Sequence, residues 1–474
     1  MTTQSSITIW ADPEPAGTSL RESDGYDGPE RGAHSDTELA ELLDAEANHP
    51  TPAPAAAAPS RHADSARLEQ VERLAVARAT KLFGARYANV RPHSCAAAHR
   101  AVLAALLSEG ETVLGPHPEA GGRAAHATPA RGTSTHGTSA AATATHAAPS
   151  AATGRERRTL YYGLDRTGRV DYAQVEEVAR RHRPRVIVAE AGAYPRRLDF
   201  ARLRAIADAA GAYLLVDISH VAGLVAAGEH PSPVDTAHIT TTNTHQQLGG
   251  PRGGLILSGR DHRAAGPDGC TPLERLLHRA VRAQAHGAPS LAAITAKERA
   301  FALAARPEFR RTARLIVENA RALAWELAGL GYRVLAGGTD DHMVLVDIVG
   351  SGLTGAVAER ALSECGILAH RYRIPGDLPG DVPGDAMAPS VAVGLRLGTN
   401  ALAQRGMGPE EMAECARLLH TVLQSTKGAG TAEHRVPPAL VTRVREDVAR
   451  LCARHPLPHQ RTIRTPALPN GAPR

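Results

Sequence analysis

Apolar residues first recur at helical spacing over residues 66–83, where Leu68, Val71, Leu74, Ala75 and Leu82 share a face and Gly84 stops the run. A second helix is predicted over 96–107 and a strand over 112–114. Beyond Gly154 the pattern alternates: helix 175–181, buried strand 185–190, helix 200–210, strand 213–217, then further strands at 238–242 and 254–257. Short apolar runs separated by amphipathic helices imply an α/β domain, a large, mostly parallel sheet covered by helices on both faces. Ligands in that architecture collect beyond the carboxyl ends of the strands, where Asp217 and the Thr244–His245 turn fall.

From about Phe309 the pattern changes. A long helix at 312–329 leads to strands at 332–335 and 343–347, a helix at 355–365 and a strand at 391–397. This reads as a smaller C-terminal α+β domain. The expected organisation is a flexible extension over 1–36, a short helix from Thr37 opening a large domain over 37–308, the small domain over 309–426, and a tail over 427–474 with one helix at 438–455. Residues 116–154 form an insertion of Ala, Thr, Ser, Gly, Pro and His, too poor in apolar groups to offset the entropy of ordering. Its His117, His126, His136 and His146 lack ligand-type pairing, so a solvated loop is expected and no metal site.

Composition narrows the class. A chain of 474 residues with a formal charge of +5, its arginines scattered among acids, does not carry the concentrated basic footprint of a nucleic-acid binder. Five cysteines, an odd number without CxxC spacing, read as reduced thiols of a cytoplasmic protein. Met1 to Trp10 has neither a basic nor an apolar signal-like region, and no apolar run is long enough to span a bilayer. Lys81, Lys297 and Lys427 are the only lysines.

The chemistry concentrates in Thr241–Gly254, Thr-Thr-Asn-Thr-His-Gln-Gln-Leu-Gly-Gly-Pro-Arg-Gly-Gly. The run resembles the cofactor-anchoring segment of serine hydroxymethyltransferases, in which threonines are followed by a histidine, a lysine and a Gly-Pro-Arg-Gly-Gly turn. Residues 82–94 resemble that family's "LFGAEYANVQPHS", 216–228 its "VDMAHVAGLVAAG", 337–347 its "GGTDNHLMLVDL" and 394–402 its "GIRIGTPAL". Four segments in family order make the resemblance specific. It implies the fold type I architecture of pyridoxal-phosphate enzymes, a homodimer with sites at the subunit interface, and conversion of serine and tetrahydrofolate to glycine and methylene-tetrahydrofolate.

Carried onto this chain, the resemblance puts Asp217 on the ring nitrogen of pyridoxal phosphate, His220 and His245 beside the cofactor, Ser94 at the phosphate, Gly287 in a phosphate contact from the neighbouring subunit, and Arg396 on the amino acid carboxylate. A helix N-cap is the structural alternative for Asp217, and an ordinary ion pair that for Arg396. At the lysine position stands Gln246, and a carboxamide is neither nucleophilic nor basic. Further departures accompany it. Cys95 stands for a glycine, Ala96 for a phosphate-binding hydroxyl, Gly192 for a serine, Ala288 for the second glycine of a pair, and His370-Arg-Tyr372 for a folate-contacting segment. The family's tyrosine-rich folate loop has no counterpart between Asn48 and Leu68, and its ring-stacking histidine segment has dissolved into the 116–154 insertion.

Three functions follow as expectations. The first is a hydroxymethyltransferase-like protein without the family's catalysis, pairing with itself or an active paralogue and open to an amino acid ligand. The second is an enzyme of altered amino acid chemistry that holds pyridoxal phosphate non-covalently and uses His245 or His220 as base. The third is a decaying gene product without a selected role.

Overall fold

The computed structural model describes residues 7–8, 60–117, 146–149, 156–190, 192–284, 290–374, 394–429 and 433–457. The helix expected from Thr37, His126 and His136, and the pair Gly287 and Ala288 lie outside them.

Among the described residues an eight-stranded sheet forms the large domain. Its strands are β2 (Tyr87–Asn89), β3 (Thr112–Pro116), β4 (His146–Pro149), β5 (Glu156–Tyr162), β6 (Val186–Glu190), β7 (Tyr213–Asp217), β8 (Ile239–Asn243) and β9 (Gly254–Ser258), in the order β2-β9-β8-β7-β6-β3-β5-β4. The run β8-β7-β6-β3-β5 is parallel, whereas β9 joins β8 and β4 joins β5 in antiparallel fashion. Every residue of β6, β8 and β9 is buried, as expected of strands covered on both faces. The parallel register sets Glu190 beside Asp217, and Asp217 beside Thr241, at the carboxyl ends of three adjacent strands.

Helices cap where small polar residues and glycines allow. Asp171 and Asp199 accept the Gln174 and Arg202 amides and start helices Tyr172–His182 and Phe200–Ala210. Gly211 ends the second at φ 70°, a left-handed conformation that glycine takes at no steric cost. Asp217 caps no helix: the next one, Ala222–Ala227, starts after Val221, and the Asp217 Oδ1 instead accepts the Ser219 amide at 2.8 Å.

The helix Pro307–Gly329 belongs to both domains. Its Ala313, Ile316 and Val317 pack in the core of the large sheet, while Ala320, Leu323, Ala324 and Leu327 pack in a second core. That core surrounds an antiparallel sheet ordered β10 (Arg333–Val334), β11 (Met343–Asp347), β14 (Gly394–Gly398) and β13 (His370–Tyr372).

Among the segments that differ from expectation are three with a bearing on the domain boundaries. Helix Pro438–Arg454, expected in a tail, buries Val441, Val444, Val448, Leu451 and Cys452 in the second core, so its apolar face is part of the small domain. Ile7 and Thr8, within the expected flexible extension, pair in parallel with Ile367 and Leu368 as β1 and β12. His146, within the expected loop, lies in edge strand β4.

Candidate active site

The site is assembled at the carboxyl end of the large sheet from four chain segments. The first is the start of helix Cys95–Leu106, capped by the Ser94 hydroxyl, which accepts the Ala97 amide at 3.1 Å. Ser94 is therefore the N-cap of this helix, with its hydroxyl oxygen engaged by the helix's own backbone. The second segment is the end of β7, where Asp217 is 2 % exposed.

These two segments touch. Cys95 Sγ donates to Asp217 Oδ2 at 3.3 Å and accepts from Ser219 Oγ at 3.0 Å. With the Ser219 amide on Oδ1, protein donors engage both oxygens of the carboxylate. A buried carboxylate without partners would be costly, and these bonds offset that cost. His220 follows in the turn before helix Ala222–Ala227 and is half-buried.

The third segment is the loop after β8. Asn243 is 2 % exposed, and its side-chain amide donates to Gln246 Oε1 at 2.8 Å. The Gln246 backbone amide in turn donates to Asn243 Oδ1 at 3.2 Å. Half-buried His245 lies between Thr244, which is fully buried, and Gln246. Gln247 Oε1 accepts the Gly223 and Leu224 amides at 3.1 and 3.3 Å, so the loop is fastened to the start of helix Ala222–Ala227. A Cβ at Gly223 would lie 2.7 Å from Gln247 Cβ, which is why this approach requires glycine.

The fourth segment is Lys297, far away in sequence and 1 % exposed. Its Nζ donates to the carbonyls of Val90, Pro92 and Gly254 at 2.5, 2.8 and 3.0 Å. Burial pushes its pKa down to about 7, whereas three carbonyl acceptors favour the ammonium, the form with three protons to donate. Lysine thus does come close to the Gln246 loop in space, a proximity the sequence conceals, but its donors are committed to the backbone.

Arg396 belongs to the small domain, the one incompletely buried position of β14, paired in register with Leu345 and His370. Its charge acts on Tyr372, whose phenol burial pushes up to about 12 against that favourable charge. The Tyr372 hydroxyl reaches the Ala193 carbonyl of the large domain at 3.5 Å. Arg396 is thereby placed with Tyr372 at the domain junction. A separate surface groove of about 630 Å³, lined by Tyr87, Thr271, Glu274, Arg275, His278 and Arg279, contains none of the expected site residues.

Pyridoxal phosphate asks a protein for a Schiff-base lysine, a carboxylate for its ring nitrogen and donors for its phosphate. The residues present do not fit it. The amide at 246 is held by Asn243 and the carboxylate at 217 carries a thiol, whereas the hydroxyl at 94, which accepts from its own helix, keeps its proton to donate. Two participants escaped sequence reasoning. Glu190 reads in the sequence only as a strand end, although β6 places it beside Asp217 and 6 % exposed, and Lys297 stands 51 positions from Gln246 with no motif to connect them.

Comparison with known proteins places these residues in a family. The family model for serine hydroxymethyltransferase matches residues 62–419. A serine hydroxymethyltransferase of Alkalilimnicola ehrlichii is 40% identical over 394 residues, 83% of each chain. One of Rhodospirillum centenum is 42% identical over 390 residues, 81% of this chain and 80% of the relative.

Proposed function

The chain belongs to the serine hydroxymethyltransferase family, and from that premise we propose that it is a member without the family's one-carbon transfer. The family uses pyridoxal phosphate, and its members typically form homodimers or tetramers. What carries the proposal is the Asn243–Gln246 pair. The family reaction needs an amine at this position to condense with the cofactor aldehyde, and a carboxamide supplies neither a nucleophile nor a base near neutral pH. The Asn243 bond further commits the Gln246 carbonyl to the protein.

The retained parts suit binding and assembly. Arg396 offers a planar two-pronged donor to an amino acid carboxylate. The two cores remain densely apolar, with residues such as Leu214, Val216, Leu397 and Leu419 at most 1% exposed. The role proposed is a structural or ligand-binding subunit that pairs with a second copy or with an active paralogue. A cytoplasmic setting is part of the same proposal, supported by five cysteines that form no disulfide. Conversion of serine to glycine by the purified protein, with tetrahydrofolate and added pyridoxal phosphate, tests it. No turnover above a protein-free blank is expected, and turnover at an ordinary enzymatic rate would end the proposal.

A further inference from the structure

Cys95 bears on the pocket in a way that is independent of Gln246. Cys95, Asp217 and Ser219 are 5 %, 2 % and 1 % exposed. Their bonds run in one direction: the Ser219 hydroxyl donates to Cys95 Sγ, and the Cys95 thiol donates to Asp217 Oδ2. A protonated pyridine nitrogen is a single N–H donor that requires one carboxylate oxygen with room beside it. A sulfur atom 3.3 Å from Oδ2 fills that room and supplies the donor itself.

The thiol cannot retreat with its backbone. A Cβ at Gly254 would lie 2.6 Å from the Ser94 carbonyl carbon and 3.1 Å from the Cys95 amide nitrogen, so the helix start already rests against β9. The Gly254 amide donates to Pro92 O at 2.8 Å, and Lys297 ties the carbonyls of Val90, Pro92 and Gly254 together. Turning the side chain alone would break both sulfur bonds and strand a buried Ser219 hydroxyl.

We infer that Cys95 is a specificity-determining residue of this pocket: its thiol takes the place of the pyridinium N–H on Asp217, and it weakens the binding of pyridoxal phosphate even where residue 246 is a lysine. This rests on the proposed loss of the family reaction and adds a second, separate obstacle to it. Non-covalent retention of the cofactor with His220 or His245 as base is disfavoured on the same ground.

Pyridoxal phosphate titrated into four proteins tests the inference: wild type, Gln246→Lys, Gln246→Lys with Cys95→Gly, and Gln246→Lys with Cys95→Ala. The last keeps a Cβ at the helix start and guards against a glycine that loosens the fold. Saturable aldimine absorbance is expected in the two double variants, with affinity about tenfold or more above Gln246→Lys alone, the scale of one charge-assisted hydrogen bond. Equal affinity in the single and double variants overturns the inference and leaves an inactive wild type explained by Gln246. Failure of both double variants to gain affinity, with circular dichroism matching wild type, overturns it as well. Turnover by the wild type, read in the serine assay, would instead strike the proposed function.

Discussion

Asn243 and Gln246 hold each other through two hydrogen bonds, side-chain amide to side-chain carbonyl at 2.8 Å and backbone amide to side-chain carbonyl at 3.2 Å. The pair closes the loop after β8 on itself. A glutamine here is thus a structural partner of the asparagine that interrupts the threonine run, as well as a missing amine.

That relationship has a measurable energy. Gln246→Ala removes the acceptor of a buried amide and is expected to cost about 1–2 kcal/mol, and Asn243→Ala a similar amount. Combined, they are expected to cost less than their sum by about 1 kcal/mol in urea denaturation, whereas additive losses would show that the two side chains act separately.

Lys297 gives a larger effect. Lys297→Met leaves three buried carbonyls without their donor, and at about 1 kcal/mol or more for each a loss of roughly 3 kcal/mol or more is expected. Lys297→Arg is not expected to rescue, because Gly253 leaves no room: a Cβ there would lie 2.7 Å from Nζ. Unfolding free energies of the two variants within about 0.5 kcal/mol of wild type would contradict the three-carbonyl account.

Asp341 predicts a pH dependence. It is 1 % exposed, its Oδ1 accepts the Met343 amide at 2.7 Å and the Thr339 hydroxyl at 3.3 Å, and its Oδ2 has no hydrogen-bond partner among the described residues. Burial pushes its pKa up from 3.8 to about 7, with Asp340 adding to the rise and Met343, Thr339 and Arg196 opposing it. His342 Nδ1 stands 3.8 Å from Oδ1. Because the folded value lies above the unfolded one, the stability is fully present below the unfolded pKa and is lost as pH rises through about 7. The shift corresponds to a loss on the order of 4 kcal/mol.

Asp341→Asn is uncharged at every pH, and asparagine is the residue at this place in the family motif. The variant is expected to be more stable than wild type at pH 8 and nearly equal to it near pH 4, both read by chemical denaturation. His238, pushed down to about 4 by burial, loses stability on acidification in both proteins, so the difference between them is the readout. A difference of equal size at both pH values would show that the substitution acts through packing rather than through the proton.

The C-terminal helix is expected to be required for folding. Ending the chain before Pro438 would uncover the apolar face that Val441, Val444, Val448 and Leu451 bury, at about 1.5–3 kcal/mol for each large side chain. Such a truncation is expected to be insoluble or partly unfolded. A soluble product with cooperative unfolding and unchanged stability would mean that the helix is an accessory.

Where apolar runs were short and flanked by clear caps, the sequence was sufficient: 200–210, 213–217 and 343–347 are the helix and strands observed. β5 was missed because Glu156, Arg157 and Arg158 open it with charge. β2 is three residues long and lies within a motif, and helices Leu273–Gln284 and Leu291–Ala304 were passed over between two domain patterns. Asp217, His220, His245 and Gln246 could be singled out as candidates because each sits in a contiguous motif. The thiol on Asp217 and the ammonium on Pro92 join residues 122 and 205 positions apart, and no local pattern records such contacts.

The most direct test of the central claim is exchange of the glycine α-proton with solvent, measured with added pyridoxal phosphate and without tetrahydrofolate. This partial reaction requires the cofactor chemistry alone, so loss of the folate loop cannot mask it. Exchange no faster than with free pyridoxal phosphate is the expected result. Protein-dependent exchange that saturates with glycine and disappears in Asp217→Ala would contradict the claim that Gln246 has removed the family's chemistry from this chain.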